Sequence, residues 1–197
     1  MVVPSISARR MSVTEEYYLS LRMKIEYYKS QIFSVIRTSG EMAALKEVHQ
    51  KMDDIMVNLS ESTKFRFTCR RGCSFCCHVE VETSNIEVRS ILQFCKKKSI
   101  TIDKEYLKRQ SKAKNLHRSE VSACVFLKGN ECSIYEARPL VCKMMYVVTD
   151  PKYCDTKTQS NNQVGYYKDQ DMLALYYAWC EVARVVNLQE HLLKLLK

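Results

Sequence analysis

The sequence predicts a mainly α-helical chain, and three observations carry that expectation. Only four Gly and three Pro punctuate 197 residues, too few for a protein built of many hairpins. Apolar residues recur at spacings of three and four over long stretches near both ends. With 46% hydrophobic and 10% aromatic residues, the chain can bury a sizeable core.

In chain order, residues 1–13 read as a loose leader. Two arginines, two serines and no acid precede Met11, as in a short targeting peptide, but the apolar run of a secretory signal is missing. Residues 14–60 read as an antiparallel helical hairpin. Tyr17, Leu21, Ile25, Tyr28, Ile32 and Ile36 mark its first helix, Ser39-Gly40 the break, and Met42, Leu45, Val48, Met52, Ile55 and Leu59 its second. So narrow a stripe suits a core hairpin, an arm or a homodimer surface. Residues 61–197 read as a cysteine-cluster domain. Within it, Ser84-Asn85-Ile86-Glu87 has the form of a capping box and predicts a helix over 85–98. Ile86, Ser90, Ile91, Phe94 and Cys95 share one face of it. A second, basic helix is expected over 103–118 and a loop-rich stretch over 122–168. One long apolar helix over 170–196, capped by Asp169 or Asp171, closes the chain.

The formal net charge is +9, and it is concentrated. Between Lys96 and Arg118, nine Lys/Arg face only Asp103 and Glu105, which is +7 in 23 residues. Such a segment can neutralise phosphates of a nucleic acid, although Tyr106 is its single aromatic; a solvated helix face is the plainer reading. No membrane span is predicted, because the most apolar stretch, 172–186, is short and holds Glu181 and Arg184. The expected compartment is the cytoplasm. There the ten cysteines are thiols or thiolates rather than disulfides.

The cysteines themselves form two groups and two strays. The first group is Cys69-x3-Cys73-x2-Cys76-Cys77, in the stretch CRRGCSFCC. The second is Cys124-x7-Cys132-x9-Cys142, with Cys154 further on. Cys95 and Cys180 lie at apolar positions of predicted helices and read as core residues. Eight remaining thiols suit two sites of four thiolates, or one cluster and one mononuclear ion. Zinc accepts four thiolates, and so does a [4Fe-4S] cluster; spacing does not choose between them. Cys69, Cys73 and Cys76, with Phe75 before the last, also have the spacing of radical S-adenosylmethionine enzymes. The 120 residues after Cys77 do not alternate strand and helix as that barrel requires, and Cys77 and the second group would have no role.

Taken together, CRRGCSFCC and CVFLKGNECSIYEARPLVCK (124–143) resemble the YkgJ-type cysteine-cluster family of zinc- or iron-chelating domains. The pattern is carried by Cys69, Cys73, Cys76 and Cys77, then Cys124 and Leu127, then Cys132, Ile134, Tyr135, Arg138, Pro139 and Cys142. Cys154 matches a final, less regular cysteine. The resemblance spans roughly residues 65 to 155 and implies metal binding through all eight thiols. Four thiolates around Zn²⁺ leave about two net negative charges. Arg138 is expected to offset them, with Tyr135 covering one side, Pro139 fixing the turn and Lys143 adding charge. His78 is expected beside the ligands rather than among them, and Arg70 and Arg71 as solvated charges.

Three functions follow as expectations. The first is a metal-chelating protein whose remaining surface binds a protein partner. The second is a protein-lysine N-methyltransferase using S-adenosylmethionine, implied by the related cluster of flagellin lysine N-methylases; no GxGxxG segment supports it here. The third is a metal-stapled nucleic-acid-binding protein using Lys96–Arg118.

Overall fold

A computed structural model describes residues 15–113, 120–155 and 164–196. The expected leader, and Lys114, His117 and Arg118 of the basic segment, lie outside the described residues.

The predicted hairpin forms. Helix α1 (Glu15–Ser39) and helix α2 (Glu41–Ser62) meet at Gly40, whose φ of +87° suits glycine and turns the chain without a loop. Glu15 and Glu16 in its first turn and Arg37 in its last complement the dipole of α1. The periodic stripe faces inward. Tyr28 and Ile32 of α1 and Leu45, Val48 and Met52 of α2 are buried, packed with Leu175, Ala178 and Trp179 of helix α6 (Gln170–Val182). The stripe is thus mostly core, formed as much against α6 as within the hairpin, although Tyr17 and Met42 at its ends are exposed.

A short strand, β1 (Glu82–Ser84), leads into helix α3 (Asn85–Lys97). The expected capping box is present: Ser84 Oγ accepts the Glu87 N–H at 3.1 Å, and Glu87 Oε2 accepts the Ser84 N–H at 2.9 Å. Helix α3 separates two cores. Ile86 joins the first; Val88, Ile91 and Cys95 join a second, with Phe126, Ile134, Leu107 of helix α4 (Lys104–Ser111), and Leu188 and Leu192 of helix α7 (Leu188–Leu195). Cys95 is 4% exposed, a plain core residue as expected.

The basic helix α4 is capped by Asp103 and ends at Ser111. Several of its cations serve local structure: Lys104 Nζ donates to the Leu196 carbonyl, Lys108 pairs with Glu105, and Arg109 lies over the Tyr106 ring.

The C-terminal expectation needs correcting. No single helix runs over 170–196. Helix α6, capped by Asp169, stops at Val182; strand β4 (Val185–Asn187) follows, and α7 begins at Leu188. Strand β4 pairs antiparallel with β1, Thr83 opposite Val186. The β-branched pair Val185-Val186 suits an extended backbone, and Asn187 caps α7 by accepting the Glu190 N–H at 3.1 Å. Apolar periodicity ran across this joint and concealed it.

Residues 120–155 are made of short elements: strands β2 (Leu127–Lys128) and β3 (Glu131–Cys132), a 3₁₀ turn at Tyr135–Ala137, helix α5 (Leu140–Lys143), and a 3₁₀ turn at Pro151–Cys154. Among the described residues, no helix is long and apolar enough to cross a membrane.

Candidate metal centre

An extended segment delivers the first cysteine. Thr68 donates its N–H to the Val147 carbonyl at 2.9 Å and its hydroxyl to the Thr149 carbonyl at 2.6 Å, so Cys69 enters anchored against residues 147–149. The Cys73 N–H then bonds the Arg70 carbonyl at 3.0 Å, closing a turn with Gly72 at φ +87°. A side chain at residue 72 would be strained there, so Gly72 sets the separation of Cys69 from Cys73. A 3₁₀ turn at Phe75–His78 carries Cys76 and Cys77.

The second group approaches from the other side. The Cys124 N–H donates to the Cys77 carbonyl at 2.7 Å, which ties the two groups directly. The tight hairpin of β2 and β3, turning at Gly129-Asn130, places Cys132 opposite Leu127. Helix α5 starts after Pro139 and carries Cys142. Its first free N–H, that of Leu140, donates to Glu87 Oε1 at 2.6 Å, so the capping carboxylate of α3 also fixes the helix bearing Cys142.

These elements bring Cys69, Cys73, Cys76, Cys77, Cys124, Cys132 and Cys142 to the wall of one cavity of about 110 Å³. Cys154 is outside that lining, though its sulfur is an electrostatic neighbour of Cys69, Cys76 and Cys73. Among the described residues, no three Cys, His, Asp or Glu side chains converge as a closed ligand set. The wall holds no carboxylate and no imidazole among the described residues. Val81, Phe126 and Leu188 join Ile134 of the sequence pattern in its apolar part, and no cysteine spacing could have singled out those three. Cys180, by contrast, sits on α6 with Tyr176, whose hydroxyl donates to its sulfur.

Three observations bear on whether a metal fits. The donors are all sulfur, the choice of zinc and iron–sulfur centres rather than of calcium or magnesium. Backbone N–H groups already point at several sulfurs: those of Phe75, Phe126 and Ile134 at Cys73, Cys124 and Cys132, each two residues on, and that of Val147 at Cys69. Such dipoles stabilise thiolate over thiol. Finally, Arg138 lines the cavity with its guanidinium carbon 4.0 Å from the Tyr135 ring centre, and its buried Nε has no hydrogen-bond partner. Its charge acts on Cys69, Cys76, Cys132 and Cys142. A donor left over beside a set of thiols suits a site whose negative charge increases on binding. The residues fit a thiolate-held metal.

The protons are unevenly held. Burial pushes Cys124 and Cys154 up to about 11, and it raises Cys69, Cys73, Cys132 and, most strongly, Cys142. Cys76 is the exception: a hydrogen bond from Cys77 outweighs burial and, with its own N–H and Arg138, brings it below the usual thiol value. Cys77, as donor in that bond, is raised.

The flanking residues sort themselves by contact. His78 Nδ1 lies 3.2 Å from the Ser122 hydroxyl, beside the segment that leads to Cys124. Lys143 lines the cavity, but its ammonium donates to both Asp53 carboxylate oxygens, at 2.8 and 2.6 Å. It secures α5 to α2 instead of offsetting thiolate charge. Arg71 sits 3.7 Å from Glu131 with its side chain largely exposed.

A family model described as "CxxCxxCC: Putative zinc- or iron-chelating domain" matches residues 68–172, just over half of the chain. No curated protein and no solved structure matches.

Proposed function

The chain belongs to the family of that description, and from this premise we propose that it holds a zinc or iron–sulfur centre through Cys69, Cys73, Cys76, Cys77, Cys124, Cys132, Cys142 and Cys154. The observation that carries the reading is the single cavity with seven thiols on its wall and the unpaired Arg138 donor beside them. The bound metal would supply cross-linking between the two cysteine groups and, in an iron–sulfur centre, an electron-transfer site.

Eight thiols suit two sets of four: Cys154 lies in the electrostatic neighbourhood of Cys69, Cys73 and Cys76, and Cys77 and Cys142 in that of Cys76, Cys124 and Cys132. Most of these thiols hold their protons in the absence of a cation, so loading releases protons and weakens as pH falls. Arg138 offsets the charge that remains, and Tyr135 holds its guanidinium in place.

The test is metal and sulfide analysis with an absorption spectrum on protein purified without oxygen. Zinc in a colourless protein supports a structural centre; iron with sulfide and broad visible absorption supports a cluster. Cys73→Ser and Cys132→Ser are expected to lose metal, and Cys95→Ser to keep it. Full metal content and stability in Cys132→Ser would overturn the assignment.

A further inference from the structure

Helix α1 carries a second apolar face that is exposed among the described residues. Leu19 is 61% exposed, Met23 67%, Tyr27 59% and Phe33 47%. At 100° per residue these four fall within one arc of about 120°, on the side away from Tyr28 and Ile32. The arc extends about four turns along a helix of 25 residues. Tyr18, 61% exposed, borders it. Scattered exposed apolar residues need no explanation, but four large ones in one arc do, even with exposed Glu26 and Ser30 between them.

The charges on the same face are arranged asymmetrically. Glu15 and Glu16 stand at one end and Arg37 at the other, all exposed. Glu26, in the middle, is 3.0 Å from the Lys29 ammonium, which it shares with Glu181 at 2.7 Å. Rotating the helix by half a turn about an axis through its centre, near residues 26 and 27, sets Glu15 and Glu16 against Arg37 of the copy. The same rotation sets Leu19 beside Phe33. The two ends of the face are complementary to their own antiparallel image, as an isologous twofold interface requires, while Glu26 of each copy lies at the axis with a Lys29 beside it.

We propose that α1 is the interface of a homodimer, two copies pairing antiparallel through Leu19, Met23, Tyr27 and Phe33, with Glu15 and Glu16 of each copy meeting Arg37 of the other. The area is adequate. At these exposures the large side chains of the stripe and Tyr18 offer roughly 100 Å² each. Two copies then bury on the order of 1,000 Å², the lower bound of a specific interface. The dimer is therefore of moderate affinity, and it leaves the cysteine cavity of each copy to itself.

The experiment is sedimentation of the full chain over a concentration series in reducing buffer. A reversible monomer–dimer equilibrium is expected. Met23→Glu is expected to raise the dimer dissociation constant more than tenfold with unchanged helical circular dichroism. Arg37→Glu is expected to weaken the dimer, and combining it with Glu15→Arg and Glu16→Arg to restore it. A chain that stays monomeric at every concentration overturns the proposal and leaves the stripe to a different partner. So does a dimer indifferent to Met23→Glu, and so does a charge swap without rescue.

Discussion

The helical half of the molecule and its cysteine half hold their shapes in different ways. Helices α1, α2 and α6 are 13 to 25 residues long and interlock through buried Tyr28, Leu45, Val48, Met52, Leu175 and Trp179. None of the eight proposed ligands belongs to that core. In 65–79 and 120–155 the elements are two to four residues long, and they are joined by turns and single hydrogen bonds such as Cys124 N–H to Cys77 O. Elements so short cannot bury a continuous apolar face. The second core reaches under them with Phe126 and Ile134, but their outer wall is thiol. The lesson is that apolar burial orders the first half, and a cation bound by sulfur is suited to order the second.

The junction between the halves is polar and buried. Glu87, 3% exposed, accepts from the Thr83 hydroxyl, the Ser84 N–H and hydroxyl, the Leu140 N–H and, at 3.3 Å, the Trp179 indole. His49 Nε2 lies 3.4 Å from Glu87 Oε1, near enough for charge interaction but too poorly directed to be a hydrogen bond. One carboxylate thereby ties β1, α3, α5 and α6. Lys143 and Asp53 make a second tie, from α5 to α2.

The largest expected effect is removal of the thiol centre. Chelation or Cys132→Ser should abolish amide-exchange protection in 65–79 and 120–155, while α1, α2 and α6 stay protected. Structural zinc contributes on the order of 10 kcal/mol to folding in small domains. Equal loss of protection in both halves would erase the distinction drawn here. Next comes the apolar core. Met52→Ala, at a fully buried position, should cost about 2–5 kcal/mol in denaturant unfolding and leave the metal content per folded chain unchanged.

Acid should act on the junction. Burial alone would raise the Glu87 pKa, but His49 and the N–H groups of Leu140 and Ser84 outweigh it and lower it to about 2 from 4.5. A depressed carboxylate stabilises the fold above its unfolded pKa and loses that contribution as pH falls through the folded one. Stability of the order of 3 kcal/mol should thus disappear between about pH 4.5 and 2, and Glu87→Gln should flatten that part of the profile. A wild-type acid limb retained in Glu87→Gln would assign it to other carboxylates. Breaking the second tie should cost less. Lys143→Met retains the buried stem and removes the ion pair with half-exposed Asp53, with an expected loss near 1 kcal/mol in thermal unfolding. The smallest effect belongs to the surface: Arg71→Ala, whose pair with Glu131 is exposed, should change stability by under about 0.5 kcal/mol.

Much of the helical half was legible because its information is local. Gly40 ends one helix and begins another, Ser84 and Glu87 form a capping box four residues long, and Asp169 caps α6. Each is decided by neighbours in the chain. The joint at 183–187 was not legible, because what makes it extended is β1, a hundred residues away, pairing with Val185-Val186. Lys143 was misread for a similar reason: proximity in sequence to Cys142 suggested a role toward the thiols, and Asp53, ninety residues distant, claims its charge.

The cysteine centre divides along the same line. Sequence alone determined which thiols are candidates, since four in nine residues and an Arg-Pro before Cys142 state a pattern that no core requires, and the family match bears out the family that this pattern resembles. It also set aside Cys95, by its place on an apolar helix face. Only the tertiary structure decided that seven of those sulfurs share one wall, that Arg138 stacks on Tyr135 with an unpaired Nε among them, and that Glu87 anchors the helix carrying Cys142. Ligand type is a property of single residues and short spacings. Convergence depends on hydrogen bonds and packing between segments far apart in the chain, which a linear pattern does not contain.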